Sequence, residues 1–293
     1  MKYTEEIVIF PDKKLPIKLV YVTTPLARPA SFYYHKGIEL QYIFSGKCTY
    51  FLKNKLYELK KNDLLLIHDN EPHCFINSPQ IEKLCLIISK DFLKSIPSGL
   101  LRLKSVLACR KGFTHLLHFP EKTEVELLVV LKQLIKEYVD IEANRQTMAA
   151  RLVYLFSMIS KYHSLKKPVK EKQTLDAYQQ KYIKEALYFI DENYTRDIDL
   201  NDLSRAVHIS PNYFSYLFKK LTGNNFKDYL ISKRISFAKE RIKNNSQEKI
   251  VSIALESGFR DLSNFNEAFK KLSGVTPSSY RRIQQKATSI PQH

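Results

Sequence analysis

Apolar residues recur along this chain in two rhythms, and the change of rhythm divides it. From residue 1 to about residue 92 they alternate with polar ones in short runs: Ile17–Val22, Glu39–Phe44, Cys48–Leu52, Asp63–Ile67 and Leu84–Ile88. Turn residues separate the runs at Ser45-Gly46, Lys53-Asn54 and Asp69–Pro72. A period of two with regular turn signals predicts short strands in a small antiparallel barrel or jelly roll. From Glu121 the period lengthens to that of a helix. Val125, Leu128, Val129, Leu131, Leu134 and Ile135 form one stripe within Glu121–Tyr138. After a break near Ala143-Asn144, Met148, Leu152, Leu155, Phe156 and Ile159 form another. Such a hairpin either packs against a second copy of itself or closes the open side of the barrel. Lys161–Leu175 is charged, contains Pro168 and has no apolar period, which predicts a linker. The helical rhythm resumes at Tyr178–Tyr194, with Tyr182, Ala186, Leu187, Phe189 and Ile190 facing inward, and the tail after Ala287 is expected to fray.

Beyond Asp199 one unit is written twice. Asn212–Gly223 reads NYFSYLFKKLTG and Ser263–Gly274 reads SNFNEAFKKLSG. Phe214 and Phe218 answer to Phe265 and Phe269, a shift of 51 residues. In the first copy Ser210-Pro211 supplies a hydroxyl N-cap and a proline at the first helical position, where its missing N–H is no loss. Phe214, Leu217, Phe218 and Leu221 then fall on one helical face, and Gly223 is placed as a left-handed cap. Leu200, Leu203 and Val207 mark a short preceding helix, with small Ser204 where another helix can approach. Ile250, Ile253 and Ala254 repeat it, Gly258-Phe259 makes the turn, Gly274 caps, and Thr276-Pro277 opens a last helix carrying Tyr280. The second turn is one residue longer: Ser204 to Phe218 spans 14 positions and Ala254 to Phe269 spans 15. Phe226–Ile242 between the copies predicts a continuous helix that fixes one copy against the other. Two helices so held can enter successive major grooves if they lie roughly 34 Å apart.

The run Gly258–Arg281 resembles, nearly end to end, the C-terminal signature of the AraC/XylS family of bacterial transcription regulators. The resemblance implies contacts to double-stranded promoter DNA, with RNA polymerase as a further partner. Base contacts fall to Asn212, Ser215 and Tyr216, and to Ser263, Asn264, Asn266 and Glu267; Tyr213 also faces outward. Asparagine pairs bidentately with adenine and glutamate accepts from cytosine N4. Lys219, Lys270, Arg281 and Arg282 hold phosphates, which sets position without reading sequence. Two departures stand out: Tyr216 occupies a place where many relatives carry arginine, and Glu267 brings negative charge towards a polyanion. In relatives the helical hairpin mediates dimerisation, which implies a homodimer.

Within the barrel, His35-x3-Glu39-x6-Gly46 and His73-x3-Asn77 resemble the two motifs of the cupin superfamily. Those motifs imply a divalent metal, yet Tyr33 stands at the first histidine position, and Asn62, His68 and Asn70 replace glycine and proline positions. His35, Glu39 and His73 remain as three ligands that could hold Zn or Fe with an open position. Sensor domains of the family keep traces of this pattern without metal, so no metal and no cofactor is expected. By resemblance the effector sits in the barrel, with His35, Glu39, Tyr42, His73 and Phe75 as candidate ligand-binding residues for a small molecule such as a sugar. The other reading of these aromatics is that they fill the core.

Composition changes this picture little. The net charge is +17, with 19 basic against 12 acidic residues from Ala177 onward and 23 against 16 from Met1 to Ser160. Basicity is therefore spread over the chain; it suits phosphate contact but does not by itself single out a DNA binder. Seven glycines, no Trp and no phosphate-loop pattern exclude a glycine-rich nucleotide fold. Cys48, Cys74, Cys85 and Cys109 show no CxxC pairing, and Cys109 with His115 and His118 lacks matched zinc-ligand spacings. No apolar signal segment or membrane-length run is present, so a cytoplasmic protein with reduced thiols, away from membranes, is expected.

The expected fold class is α+β multidomain: a cupin-like antiparallel β-barrel (jelly roll) over 1–120, a helical hairpin over 121–163, a linker over 164–176 and an all-α double helix-turn-helix domain over 177–286. The expected function is a ligand-responsive, sequence-specific transcription regulator with no catalytic residues. The alternatives are a cupin metalloenzyme with a fused DNA-binding domain and a ligand-independent regulator whose barrel only assembles protomers.

Overall fold

The computed structural model describes residues 4–23, 32–52, 55–77, 80–96, 114–140, 144–163, 176–245 and 247–288. The predicted turn at 53–54, most of the predicted linker and Cys109 lie outside these residues. The chain divides into two compact units, the first drawn from the N-terminal half and the second built mainly from residue 175 onward. No helix among the described residues is long and apolar enough to cross a membrane.

The first unit is made of β1 (Thr4–Glu5), β2 (Ile17–Val22), β3 (Tyr33–Tyr34), β4 (Ile38–Leu52), β5 (Lys55–Lys60), β6 (Leu64–Ile67), β7 (His73–Asn77), β8 (Ile81–Ile88) and β9 (Leu116–Leu117). It is organised around β4, whose first half lies between β8 and β6 while its second half pairs with β5, all antiparallel. β2 extends one edge through β8 and β9 the other through β6; β3 pairs with β7, and the short β1–β3 pairing is parallel. Serving two sheets requires β4 to bend, and it does so at a bulge between Ile43 and Ser45, followed by Gly46 at φ 84°. A Cβ on Gly46 would stand 2.2 Å from the Gln80 carbonyl oxygen, so only glycine fits. Ser45-Gly46 is thus a bend inside one long strand and not the chain reversal expected of it. Asn62 and Asn70, which replace motif residues, both adopt positive φ (71° and 57°), a region asparagine tolerates better than most residues.

Among the described residues this unit also has the helices α1 (Lys90–Ser95), α2 (Glu121–Val139) and α3 (Arg145–His163). Leu127, Val130, Leu131 and Leu134 of α2 join Met148, Leu152, Leu155, Phe156 and Ile159 of α3 in one cluster with Leu40, Tyr42, Leu64, Leu66, Leu84 and Leu86 of the sheet. The hairpin therefore covers a face of the barrel. The stripe of α2 is rotated from expectation: Val125 and Val129 are 61% and 50% exposed, because Leu127 and Val130 take the inward places.

From residue 176 onward the regular elements among the described residues are helices: α4 (Ala177–Asn193), α5 (Leu200–Ala206), α6 (Pro211–Thr222), α7 (Phe226–Asn244), α8 (Ile250–Glu256), α9 (Leu262–Ser273) and α10 (Pro277–Thr288). Capping boxes open α4 (Asp176 with Gln179) and α5 (Asp199 with Asp202), satisfying amide donors that a helix start leaves free. α7 runs unbroken between the copies, capped by Asn225 and buried along Tyr229, Leu230, Ile235, Ala238 and Ile242.

Candidate nucleic-acid interface and buried polar cluster

The start of α6 is set by Ser210, whose hydroxyl accepts from Tyr213 N at 3.4 Å, with Pro211 at the first helical position. Gly223 (φ 70°) ends it, donating to Lys219 O at 2.9 Å. Phe214, Leu217 and Phe218 are fully buried, Phe218 lying 5.4 Å from Phe214 and 5.1 Å from Tyr229 between ring centres. That orientation turns Asn212, Tyr216 and Lys219 to solvent, with Ser215 half-buried beside them. Tyr213 is 39% exposed, and its hydroxyl accepts from Gln179 Nε2 at 3.0 Å, tying this face to α4.

α9 repeats the design with different caps. The Asp261 carboxylate accepts from Ser263 N at 2.6 Å, and Gly274 (φ 74°) donates to Lys270 O at 2.8 Å. Phe265 and Phe269 are fully buried among Ile253, Ala254 and Phe259. Ser263, Asn264, Asn266, Glu267 and Lys270 are all exposed. The turn before α6 occupies residues 207–210 and the turn before α9 residues 257–261, the extra residue that the spacing predicts. Arg281 differs from the other basic candidates: half-buried, it donates from Nη2 to Glu248 O at 2.5 Å, so its guanidinium braces the chain before α8. Arg282 beside it is exposed.

In the first unit His35, Glu39 and His73 converge, all essentially buried. Glu39 Oε2 lies 2.6 Å from His35 Nε2 and 3.1 Å from His73 Nε2. His73 Nδ1 donates to Glu71 O at 2.7 Å, which fixes the ring and aims Nε2 at the carboxylate. Glu39 Oε1 accepts from Gln41 Nε2, and from Cys85 Sγ at 3.4 Å. Gln41 Oε1 in turn accepts from Lys83 Nζ at 3.2 Å, and Lys83 also donates to Tyr50 OH at 2.6 Å. Burial works to raise the Glu39 pKa, but the facing charge of His73 and the hydrogen bonds from both rings outweigh it and hold the carboxyl well below its ordinary value. Burial likewise opposes charge on His35; the hydrogen bond and charge of Glu39 prevail and raise its pKa.

Two histidines and a carboxylate are a donor set that suits a divalent ion, and their ligating atoms lie within 4.8 Å of one another. The His35–Glu39 contact, however, is a direct hydrogen bond. Ligands about 2.0–2.1 Å from a tetrahedral zinc stand roughly 3.3 Å apart, whereas His35 and Glu39 meet at 2.6 Å. Tyr33, in the remaining ligand position of the motif, packs its ring 4.4 Å from that of His73.

Of the other candidates, Phe75 lies two residues along β7 from His73 and is half-buried. Tyr42 is three residues from Glu39 and therefore on the opposite face of β4. It packs against Phe44 at 4.9 Å, beneath the helices, and its hydroxyl donates to Asn62 Oδ1 at 3.3 Å. The structure thus separates Tyr42 from the cluster and adds Gln41, Tyr50, Lys83 and Cys85, which sequence reasoning missed. Gln41 could have been found from the i, i+2 rule starting at Glu39. Lys83, within an apolar strand, looks like a solvent-facing residue until the facing sheet is known.

The described helix-turn-helix domain family matches residues 203–283, and the AraC-like ligand binding domain family matches residues 26–150. Over 285 residues the chain is 22% identical to the melibiose operon regulatory protein of Escherichia coli K12, covering 91% of this chain and 88% of that one. It is 33% identical over 100 residues to the transposon Tn10 TetD protein of Escherichia coli, covering 34% of this chain and 72% of that protein. Among solved structures, ToxT from Vibrio cholerae O395 aligns at 20% identity over 93% of this chain and 99% of its own, with a TM-score of 0.36.

Proposed function

This chain belongs to the AraC family of transcription regulators, with a ligand-binding and a DNA-binding domain, and from that membership we propose that α6 and α9 both read promoter DNA under control of a small molecule held by the N-terminal unit. The observation that supports it most is the matched presentation of the two helices. In each, a pair of fully buried phenylalanines at the same register turns polar side chains and two lysines outward. Asn212, Ser215, Tyr216, Ser263, Asn264, Asn266 and Glu267 contact base edges, and Lys219, Lys270 and Arg282 contact phosphates. Arg281 acts by holding the chain at Glu248. RNA polymerase at the same promoter, in the cytoplasm, is the partner such a regulator answers to. Selection of bound fragments from a random DNA library tests this: two enriched half-sites about one helical turn apart are expected, and an unenriched pool would refute it.

The effector reading rests on the buried row Glu39, Gln41, Lys83 and Tyr50 with His35 and His73, whose donors and acceptors suit a hydroxyl-rich molecule. A relative named for the melibiose operon is consistent with a sugar. A metal-dependent enzyme is not favoured, since Glu39 already bonds His35 directly and Tyr33 stands in the remaining ligand position.

The hairpin serves a second purpose in this reading. Its inner face covers the barrel, while Val125 and Val129, one turn apart on α2, remain exposed with Tyr154 of α3. We place the dimer interface there. Val125→Asp with Val129→Asp is expected to convert a dimer to a monomer in sedimentation velocity without lowering Tm, because neither side chain is in the core. A variant that still sediments as a dimer would exclude this face.

A further inference from the structure

The two recognition helices are linked by α7, and each copy packs on it: Phe218 meets Tyr229, and Phe265 and Phe269 cluster with Ile235, Ala238 and Ile242. A second attachment lies where α4 ends. Arg234, half-buried on α7, donates from Nε to Tyr194 O at 2.7 Å and from Nη2 to Arg196 O at 2.8 Å. The last carbonyls of a helix lack intrahelical partners and carry its negative end, so a guanidinium with two parallel donors suits them. The same guanidinium lies 5.8 Å from the ring centre of Phe259, which closes the turn between α8 and α9. Gly258, before it, approaches α4 so closely that a Cβ would stand 2.8 Å from Thr195 Cα and 2.9 Å from both Thr195 O and Tyr194 O. Arg260 pairs with Asp197 at 2.6 Å. Behind them Lys233 pairs with Asp191, and Tyr194 packs on Phe237 at 5.6 Å. The segment from Tyr194 to Asp197 therefore lies just before the first copy in sequence and touches the turn of the second.

We propose that Tyr194–Asp197, keyed by Arg234, is a second strut that fixes the angle and spacing of α6 and α9, so that one protomer accepts its two half-sites at one separation only. Arg234 touches no DNA in this scheme; it is a positioning residue. Two attachments that do not share an axis resist bending and twisting of the pair better than α7 alone. With the pair rigid, the second half-site meets its helix at high effective concentration; a loosened pair spreads that concentration over many orientations. The inference rests on the reading that both helices contact DNA.

The test uses the full chain and DNA selected from a random library by the wild-type protein. Affinity is measured for the selected site, for the same site with one half scrambled, and for a series with base pairs added or removed between the halves. Arg234→Ala is expected to bind the half-scrambled probe within about twofold of wild type. Its affinity for the full site should fall about 10- to 100-fold, and its penalty for altered spacing should shrink by a similar factor. Arg234→Lys keeps the charge but not the two-donor fork and should be intermediate. Gly258→Ala, which pushes Thr195 away, should repeat the relaxed spacing without touching Arg234. An unchanged spacing profile in Arg234→Ala and Gly258→Ala would overturn the proposal. So would an equal loss on full and half-scrambled probes, which marks a residue that merely maintains the fold. A wild-type protein indifferent to scrambling either half would instead remove the two-helix reading, and the strut with it.

Discussion

Alanine at both Asn212 and Asn266 is expected to lower affinity for the selected site by about 30-fold to 10⁴-fold and to flatten preference among sequences. A bidentate asparagine–adenine contact contributes about 1–3 kcal/mol of discrimination. The two side chains sit on different helices with no shared partner, so their losses should roughly add, to about 2–6 kcal/mol. Both are exposed, so folding should be untouched. The residual binding should be the phosphate-driven, salt-sensitive kind that Lys219 and Lys270 supply. Alanine at those two lysines gives the contrast: affinity drops on every sequence alike, and the salt slope decreases. Competition binding at two salt concentrations separates the patterns, and an asparagine double variant with wild-type selectivity would show that other residues read the bases.

The second unit was largely legible in the sequence because its signals are local. Ser210-Pro211, Gly223 and Gly274 act within a turn of themselves, and the structure has them as an N-cap and two left-handed caps. The phenylalanine pairs reveal the outward face by elimination. The first unit was less legible because its decisive facts lie across strands. Gly46 needs positive φ whether it makes a reversal or a bulge, and only the proximity of Gln80 and Ile81 settles which. That one error hides more: with β4 broken in two, nothing brings Tyr50 to Lys83, although the parity that parts Tyr42 from Glu39 lay within the predicted strand Glu39–Phe44. On α2, alternative stripes of nearly equal apolar content exist, and packing on the sheet selected Leu127 and Val130 over Val125 and Val129.

Glu39→Ala should be the most damaging single change in the first unit, and its cost should depend on pH. Removing one partner of a buried ion pair costs about 3–5 kcal/mol, chiefly because the other partners are left in a place that cannot solvate them. Here two imidazoles lose their acceptor at once, and Gln41 and Cys85 lose theirs. Because the chain has no Trp, hydrogen exchange followed by mass spectrometry is the better probe: peptides from β4 and β8 should lose two to four orders of magnitude of protection, and α6 and α9 none. The pH dependence follows from the two shifts. The raised His35 contributes stability that is complete below its unfolded value of 6.5 and fades as pH rises through its higher folded value. The lowered Glu39 contributes stability that is complete above 4.5 and fades as pH falls through its depressed folded value. Wild-type protection in β4 should therefore be greatest between those unfolded values and decline on both sides, whereas Glu39→Ala should lose the acid slope outright and most of the alkaline one, since His35 then lacks the hydrogen bond and charge that chiefly raise it. EDTA should leave wild-type exchange unchanged, because Glu39 bonds His35 directly and faces His73 at 3.1 Å. Loss of β4 protection on chelation would reverse that assignment, and a Glu39→Ala protein that keeps the wild-type pH profile would show that the cluster does not hold the barrel together.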